Sequence, residues 1–333
     1  MRARALSREV CTIVLAAGEG MRLRDLTRAL HGEDLPKQFA RIQRCGSLLQ
    51  RTLSRARAWS RPEHTFVVVA AERADIARRQ LPPGNAPEIV LQPRNVGTAA
   101  GILLPLARVL ERSPDAQVVI LPSDHYVRDE AAFARSIRNA LASARVSQRI
   151  SLVGAVPEHA ETQYGWIATA PGARSSSLRI TSFVEKPEAA LAATLFSQGA
   201  LWNTFIMAGA ARTFEALAGR HLPFEASLFD RYRQAIGGPL ERCSLAELYE
   251  RLEPSDFSRD VLQASSDLCA VRLSPCGWSD WGTPERVLAS LDGTSELLPL
   301  LRRLERSPHA TALRHLLASS MRGSSVAPVT APS

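Results

Sequence analysis

The sequence predicts an α/β protein in which a mostly parallel sheet is covered by helices on both faces. From residue 10 to residue 156, short runs that are apolar throughout alternate with stretches whose apolar residues recur at helical spacing. The apolar runs are too short for helices, which indicates strands buried on both faces. Strands that alternate with helices pair in parallel through crossover connections. With 333 residues and 45% hydrophobic content, the chain suits one large domain.

The alternating half defines its elements in order along the chain. Strands are predicted at residues 10–15, 65–70, 88–91, 117–121 and 150–156. Helices are predicted at residues 48–56, 73–80, 97–112 and 131–145. Ligands bind beyond the carboxyl ends of the strands in such sheets, so the loops after the first, third and fourth strands are the predicted binding region.

The second half has shorter predicted strands and is expected to form a smaller substrate-binding subregion. Its predicted strands are YGWIAT (164–169), LRITSFVEKP (178–187), LWNTFIMAG (201–209) and residues 268–273. Helices are predicted at residues 188–198, over much of 212–252, at 296–305 and at 310–318. We expect residues 1–291 to form one domain and residues 292–318 a C-terminal helical segment. Residues 319–333 are expected to be disordered, because small polar residues and prolines cannot bury a core.

Charge and cysteine content narrow the classes of function. The net charge of +8 is dispersed, without a basic block or interleaved aromatic residues, so nucleic-acid binding is not favoured. The five cysteines are odd in number and form no CxxC pair, which favours reduced thiols in a cytoplasmic protein. The apolar run near the N-terminus is too short for a signal peptide or a membrane span, so we expect no membrane partner.

The first strand leads directly into a loop of small residues that suits a bound phosphate chain. The loop consists of Ala16, Ala17, Gly18, Glu19 and Gly20. Glycines leave backbone amides open to an anion, and Arg22 adds a fork of donors. The loop is not a P-loop, because the string Gly-x-x-x-x-Gly-Lys-Ser/Thr is absent. It is not a dinucleotide-binding fingerprint either, because Leu23 stands where that motif needs its third glycine. A glycine-rich turn that only closes a buried strand is the alternative.

Lysine is very rare in this chain. Of 41 basic residues, only Lys37 and Lys186 are lysine, and both lie in motif-like strings, PKQF and FVEKP. Arginine serves at most surface positions, but a compact ammonium group reaches a phosphate oxygen in a crowded pocket where a guanidinium does not fit. The scarcity therefore predicts functional roles for both lysines.

Two acidic residues are candidate ligands for Mg²⁺. Asp124 ends a buried strand in LPSDH, and Asp280 lies between two tryptophans in GWSDWGTPE. Two carboxylates beside a phosphate site suit Mg²⁺, which takes oxygen ligands and bridges to substrate phosphates. An aspartate that caps a turn is the alternative at either position. His125 is not assigned a general-base role.

Polar residues beside aromatic residues in the second half suit a sugar ring. Gly165 stands between Tyr164 and Trp166, and Asn203 follows Trp202. Glu185 can accept hydrogen bonds from sugar hydroxyls while Lys186 meets a phosphate; the alternative is an exposed ion pair of little energetic value. Core packing is an equally good explanation for the two aromatic strings.

The order of these motifs resembles that of the sugar-nucleotide pyrophosphorylases, a family of nucleotidyltransferases. The resemblance rests on seven strings between Val10 and about Leu291, namely AAGEGMRL, LPKQF, LPSDH, YGWI, FVEKP, WNTFI and WSDWGTPE. It implies a Rossmann-like mixed sheet with a helical C-terminus. It also implies transfer of a nucleotidyl group to a sugar 1-phosphate, with release of pyrophosphate. GTP and mannose 1-phosphate are the expected substrates; UTP, dTTP or ATP with a glucose-type phosphate, or a non-catalytic regulatory homologue, are the alternatives.

The resemblance also implies a role for each motif residue. Arg22, Lys37, Asp124 and Asp280 are the expected catalytic group, and the two aspartates hold Mg²⁺. The nucleotide is expected to contact Ala16, Ala17, Gly18, Glu19, Gly20, Gln92, Gly97 and Thr98. The sugar phosphate is expected to contact Gly165, Glu185, Lys186 and Asn203. We expect a single activity, with a homodimer as one option for the assembly.

Overall fold

The computed structural model describes residues 9–81, 84, 86–170 and 176–313. Its strands are β1 (Val10–Leu15), β2 (Thr65–Ala70), β3 (Glu88–Gln92), β4 (Gln117–Pro122), β5 (Ile150–Ala155), β6 (Trp166–Thr169), β7 (Leu178–Val184), β8 (Leu201–Ala210) and β9 (Leu268–Arg272). Within the described residues these strands form one sheet in the order β3-β2-β1-β4-β8-β5-β9-β7-β6, and β6 also pairs with β8. The predicted α/β class with a mixed sheet is confirmed.

Parallel pairing is confined to part of this sheet. Strands β3, β2, β1 and β4 are parallel neighbours, and so are β5 and β9. Strand β8 runs antiparallel between β4 and β5, and β7 is antiparallel to both β6 and β9. The apolar content of β8 fits a central strand, but strand direction depends on the chain connection rather than on composition. The expectation of a mostly parallel sheet therefore holds for the first four strands and for the β5–β9 pair, whereas β6, β7 and β8 pair with their neighbours in antiparallel fashion.

Eleven α-helices lie within the described residues. They are α1 (Arg24–His31), α2 (Leu48–Ala56), α3 (Ala74–Gln80), α4 (Thr98–Arg112), α5 (Glu130–Ser147), α6 (Ala189–Ser197), α7 (Ala211–His221), α8 (Pro223–Ala235), α9 (Glu241–Arg251), α10 (Pro284–Leu291) and α11 (Leu297–Glu305). The helices predicted at residues 48–56, 73–80, 97–112, 131–145, 188–198 and 296–305 are confirmed within two residues at each end. Helix α1 and a π-helix at Phe257–Leu262 were not predicted.

Helices cover both faces of the sheet, as the sequence predicts. On one face, Ile13 of β1 packs into a core with α4 and α7 to α9. On the other face, Val14 packs with α2 and α3, and further along the sheet Val153 packs with α5 and α6. The alternating side chains of one strand thus reach two cores, which fixes the sheet between two helical layers.

The C-terminal segment packs beside the first helix. Leu300 and Leu304 of α11 lie in one cluster with Leu26 of α1 and with Trp281. The helix predicted at residues 310–318 is described only to residue 313, where residues 311–313 form a 3₁₀ turn. Its remainder and the predicted tail lie outside the described residues, and the proposed domain division stays a prediction. Among the described helices, none has the length and apolar character required to cross a membrane.

Candidate active site

The loop after β1 is held against the segment that carries Lys37. Gly20 has a φ of 62°, and a Cβ atom at this position would lie 2.8 Å from the amide nitrogen of Lys37. The side-chain amide of Gln38 donates to the carbonyls of Ala16 (2.9 Å) and Gly18 (2.6 Å). Glycine is therefore required at position 20, and the loop conformation is fixed by a glutamine that the sequence analysis did not assign.

The residues of this loop differ in what they can offer an anion. The Ala16 amide donates to the carbonyl of Val68 within the sheet, so it is already used. Ala17 is half-buried, whereas Gly18 and Glu19 are exposed. The part of this loop that is accessible to a phosphate therefore begins after Ala16. The nucleotide-binding role of the loop stays a prediction.

Lys37 joins the two predicted metal ligands. Its side chain is 7% exposed, and its Nζ atom lies 3.1 Å from Oδ2 of Asp124. The same ammonium donates to the carbonyls of Asp280 (2.5 Å) and Trp281 (3.2 Å). Three acceptors use the full donor capacity of an ammonium group. The structure thus brings Asp124 and Asp280 together at the carboxyl ends of β1 and β4, as the sequence predicts.

The Asp280 carboxylate is surrounded by donors. Its Oδ1 accepts from the amide of Gly282 (2.9 Å) and from Nη1 of Arg286 (3.0 Å), and its Oδ2 lies 3.4 Å from Nη2 of Arg22. The hydroxyl of Tyr164 also donates to this carboxylate. A Cβ atom on Gly282 would lie 2.5 Å from Oδ2 of Asp280. This crowding explains the glycine that follows Trp281.

Arg286 is the main residue of this group that sequence reasoning missed. Its Nη1 donates to the hydroxyl of Tyr164 (2.7 Å), its Nη2 pairs with Glu161, and its guanidinium lies 4.8 Å from the centroid of the Tyr164 ring. Arg286 therefore orients both Asp280 and Tyr164. Its position six residues after Asp280, in the first turn of α10, is the sequence feature from which its role could have been inferred.

Nearby cations keep both aspartates ionised. Burial favours the neutral form of Asp124, but the Lys37 ammonium outweighs it and lowers the pKa of this carboxyl. Burial also disfavours ionised Asp280, whereas the Tyr164 hydrogen bond and the charges of Lys37 and Arg286 lower its pKa. Two ionised carboxylates are consequently present at neutral pH.

The donor set fits Mg²⁺. Asp124 and Asp280 offer carboxylate oxygens, the ligand type that Mg²⁺ prefers. Asp124 is 30% exposed at its side chain, so it is accessible to an ion. Arg22, with a side chain that is 55% exposed, can move away from Asp280. The residues present are therefore suitable for holding a magnesium ion together with substrate phosphates.

His125 is held neutral beside Asp124. Burial lowers the pKa of its imidazole to about 4. The indole Nε1 of Trp278 donates to Nδ1 of His125 (3.2 Å), which assigns the proton of the neutral ring to Nε2. His125 is thus a packed neutral residue at pH 7, and the absence of a general-base role for it stays a prediction.

Lowering the pH from 7 to 4 is expected to destabilise the protein by about 3 kcal/mol through His125. The pKa is 6.5 for an ordinary imidazole and about 4 in the folded protein. Between these two pKa values the unfolded chain binds a proton that the folded protein does not. The free energy of unfolding therefore decreases as the pH is lowered. Urea unfolding at several pH values should show a shallower fall for His125→Asn, whose side-chain oxygen can still accept from Trp278. The exposed His309→Asn is the control, and equal slopes for all three proteins would contradict the assignment.

A cavity of about 210 Å³ is lined by seven of the predicted site residues. The predicted site residues that line it are Arg22, Thr98, Gly165, Glu185, Lys186, Asn203 and Asp280. Lining residues without a predicted role are His125, Gln163, Tyr164, Thr204, Phe205, Asp256, Ser258 and Trp278. Residues from distant parts of the chain therefore meet at one site, as the sequence predicts.

The sugar-side residues are closely packed around Gly165. A Cβ atom on Gly165 would lie 2.5 Å from Oε2 of Glu185 and 3.3 Å from Cβ of Asn203. The carbonyl of Gly165 accepts from the amide of Asn203 (2.7 Å). Burial raises the pKa of Glu185, and the charge of Asp256 adds to this effect. The position therefore requires glycine, and Glu185 is held where its carboxyl faces the cavity.

Three non-glycine residues at this site have left-handed backbone conformations. The φ angles are 46° for Lys186, 58° for Phe205 and 46° for Trp281. The Asn203 side chain accepts from the amide of Phe205 (3.1 Å), beside a register shift between β5 and β8. Such conformations are unfavourable for residues with a Cβ atom and concentrate at functional sites.

The residues predicted near the base and ribose have protein partners. Gln92 is 1% exposed and donates to the hydroxyl of Tyr249 (3.2 Å). Gly97 packs against Ser255, whose carbonyl oxygen would lie 2.1 Å from an added Cβ atom. Thr98 alone of these three lines the cavity, and its hydroxyl donates to Oδ2 of Asp256 (3.2 Å). The base-binding roles of Gln92, Gly97 and Thr98 stay predictions.

Known proteins provide the comparison for this fold and site. Residues 11–294 match the family model described as nucleotidyl transferase. The chain is 31% identical over 284 residues to the xanthan biosynthesis protein XanB of Xanthomonas campestris. This alignment covers 83% of this chain and 58% of XanB. It is also 31% identical over 196 residues to the mannose-1-phosphate guanylyltransferase RfbM of Salmonella typhimurium, covering 58% and 40% of the two chains.

A solved structure supports the same relationship. A Thermus thermophilus protein named mannose-1-phosphate geranyltransferase has a TM-score of 0.72 and 27% identity, over 85% of this chain and 79% of that chain. The chain spans somewhat more than half the length of XanB. Because the family match covers most of its residues, the chain belongs to the nucleotidyl transferase family.

Proposed function

We propose that the protein transfers a nucleotidyl group from a nucleoside triphosphate to a sugar 1-phosphate, giving a nucleoside-diphospho-sugar and pyrophosphate. GTP and mannose 1-phosphate are the proposed substrates, in line with the name of the relative RfbM. The observation that carries the proposal is the cavity in which Glu185 and Asn203 lie together with Arg22 and Asp280. This arrangement combines hydrogen-bonding groups for a sugar with charged groups for phosphates.

The proposed reaction needs positioning rather than a covalent intermediate. An oxygen of the sugar phosphate attacks the α-phosphorus, a new P–O bond forms, and the bond to the leaving pyrophosphate breaks. Glu185 and Asn203 orient the sugar, and Lys186, which is 61% exposed at its side chain, contacts its phosphate. Holding the two substrates in line can contribute about 7 to 11 kcal/mol.

Charge neutralisation is the second contribution. Arg22 follows the glycine loop in the chain, and its side chain, which is 55% exposed, can pair with the triphosphate when it leaves Asp280. Lys37 fixes Asp124 and the Asp280 segment in the positions described above. Asp124 and Asp280 would hold Mg²⁺, which would neutralise phosphate charge when bound.

The compartment and the assembly are part of the proposal. All five cysteines are free thiols, which supports a reducing cytoplasmic environment. A homodimer is proposed as the assembly, to be tested by light scattering of the purified chain. No nucleic-acid or membrane partner is proposed.

A substrate matrix tests the proposed function. Nucleoside triphosphates are combined with sugar 1-phosphates, and pyrophosphate release is followed with and without Mg²⁺. We expect the highest rate with GTP, mannose 1-phosphate and Mg²⁺. A higher rate with UTP, dTTP or ATP and glucose 1-phosphate would support the alternative specificity within the family. Absence of release in every combination would support a non-catalytic regulatory homologue.

Replacing Gly165 with alanine is expected to raise the KM for the sugar 1-phosphate about 10- to 100-fold, because the added methyl group displaces Glu185. The KM for the nucleoside triphosphate should stay unchanged, since the nucleotide is proposed to bind the loop after β1. Steady-state kinetics with each substrate varied in turn measure the difference. Gly219→Ala in α7, where nothing lies within 4 Å of the added atom, is the control. An equal rise in both KM values would argue against a sugar-specific role.

A further inference from the structure

A second group of potential metal ligands lies at the amino end of the sheet. Glu9, Cys11 and His64 each present a ligand atom, and these atoms all lie within 4.8 Å of one another. The candidate active site lies beyond the carboxyl ends of β1 and β4, so the strand β1 separates the two places. The proposed nucleotidyl transfer makes no use of these three residues.

The sheet itself brings the three side chains together. Glu9 and Cys11 are two residues apart along an extended segment, so their side chains share one face. The Glu9 backbone continues the sheet, since its carbonyl accepts from the amide of Gln117 (2.8 Å). The parallel register pairs Thr12 with Thr65, so His64, the residue immediately before β2, lies close to Cys11. Convergence of the three residues is therefore a consequence of strand pairing.

The group is already ordered through hydrogen bonds. Nδ1 of His64 lies 2.5 Å from Oε1 of Glu9, and the hydroxyl of Ser113 donates to Oε2 of Glu9 (2.5 Å). Cys11 is 3% exposed, while the side chains of His64 and Glu9 are 30% and 33% exposed. An ion can enter from the exposed side. A hydroxyl that orients a ligating carboxylate is a typical outer partner of a metal ligand.

The donor types favour zinc over magnesium. A thiolate, an imidazole nitrogen and a carboxylate oxygen are the three common zinc ligands, and a water molecule can complete a tetrahedron. Mg²⁺ binds oxygen atoms and has little affinity for sulfur. Burial and then the charge of Glu9 raise the pKa of the Cys11 thiol to about 12, and the charge of Arg112, which is paired with Glu88 at 2.5 Å, opposes them.

We propose that Glu9, Cys11 and His64 bind a divalent ion of the zinc type, which links the starts of β1 and β2. Binding releases the proton of the Cys11 thiol to solvent. It also requires the neutral His64 ring to carry its hydrogen on Nε2, so the Nδ1–Glu9 hydrogen bond is exchanged for bonds from both groups to the ion. The ion stabilises the folded protein because the unfolded chain does not hold the ligands together.

Cobalt spectroscopy tests the site directly. The purified 333-residue chain is stripped of metal with a chelator and titrated with Co²⁺, which gives a charge-transfer absorption band when a thiolate binds it. We expect this band in the wild type, its loss in Cys11→Ser, and its retention in Cys269→Ser, a control at another buried cysteine. Zn²⁺ should abolish the band by competition, whereas excess Mg²⁺ should leave it unchanged.

Two further variants keep the test decisive if Cys11→Ser does not fold. Ser113→Ala retains all three ligands, and its Co²⁺ affinity should fall about 10- to 100-fold. His64→Gln retains the thiol and should lose at least as much affinity. The proposal is overturned if the wild type gives no thiolate band, if the band persists in Cys11→Ser, or if His64→Gln binds Co²⁺ as tightly as the wild type. These readouts do not depend on nucleotidyl transfer.

Discussion

Replacing Lys37 with methionine is expected to lower turnover about a thousandfold or more and to lower the free energy of unfolding by about 3 kcal/mol. Methionine keeps most of the buried volume but removes the ammonium that contacts Asp124 and the carbonyls of Asp280 and Trp281. Asp124 would then lose its paired charge in a mostly enclosed site, and the two carbonyls would lose a donor. The proposed Mg²⁺ ligands would no longer be held in one arrangement.

Lys186→Met is the matched control, because Lys186 is the only other lysine in the chain. Its side chain is 61% exposed, and among the residues that the structure describes its ammonium group pairs with Glu185 alone, at 3.7 Å. We expect this variant to raise the KM for the sugar 1-phosphate and to leave the free energy of unfolding within about 0.5 kcal/mol of the wild type. Pyrophosphate release and urea unfolding separate the two effects. Wild-type turnover in Lys37→Met would remove Lys37 from the proposed mechanism.

The convergence of the site could be predicted from the sequence because sheet geometry determines it. Asp124 and the glycine loop follow two strands that pair in parallel, so their positions meet once β1 and β4 are neighbours. The rarity of lysine also carried information, since Lys37 and Lys186 lie beside Asp124 and Glu185, two residues of the predicted site. These inferences need only strand positions and residue chemistry, which local sequence patterns provide.

Features that depend on tertiary packing could not be predicted. The antiparallel direction of β8 follows from the chain path, which composition does not encode. Ser255 packs on Gly97 through backbone atoms, and no side-chain pattern indicates a contact of that kind. Arg286 stands close to Asp280 in the sequence, but its contact with Tyr164, 122 residues away, depends on tertiary packing. Buried partners of Gln92 were missed for the same reason.

Replacing Asp124 with asparagine is expected to lower Mg²⁺-dependent turnover by about a thousandfold. The change removes one proposed ligand charge while it keeps the side-chain shape, so Lys37 can still donate to the remaining oxygen. The loss should therefore appear in catalysis and metal response more than in folding. Asp129→Asn is the control, because Asp129 caps α5 through the amide of Ala132 (2.9 Å) and asparagine caps a helix equally well.

The metal response separates a ligand from a residue that only orients Lys37. Nucleoside triphosphate with Mg²⁺ should raise the melting temperature of the wild type and of Asp129→Asn, and this rise should be much smaller in Asp124→Asn. A residue that only orients Lys37 would reduce turnover at every Mg²⁺ concentration by the same factor. If Asp124→Asn keeps the wild-type dependence on Mg²⁺ concentration, Asp124 does not hold the ion. The ionised state of Asp124 would then serve to fix the ammonium, and Asp280 alone would remain as the candidate ligand.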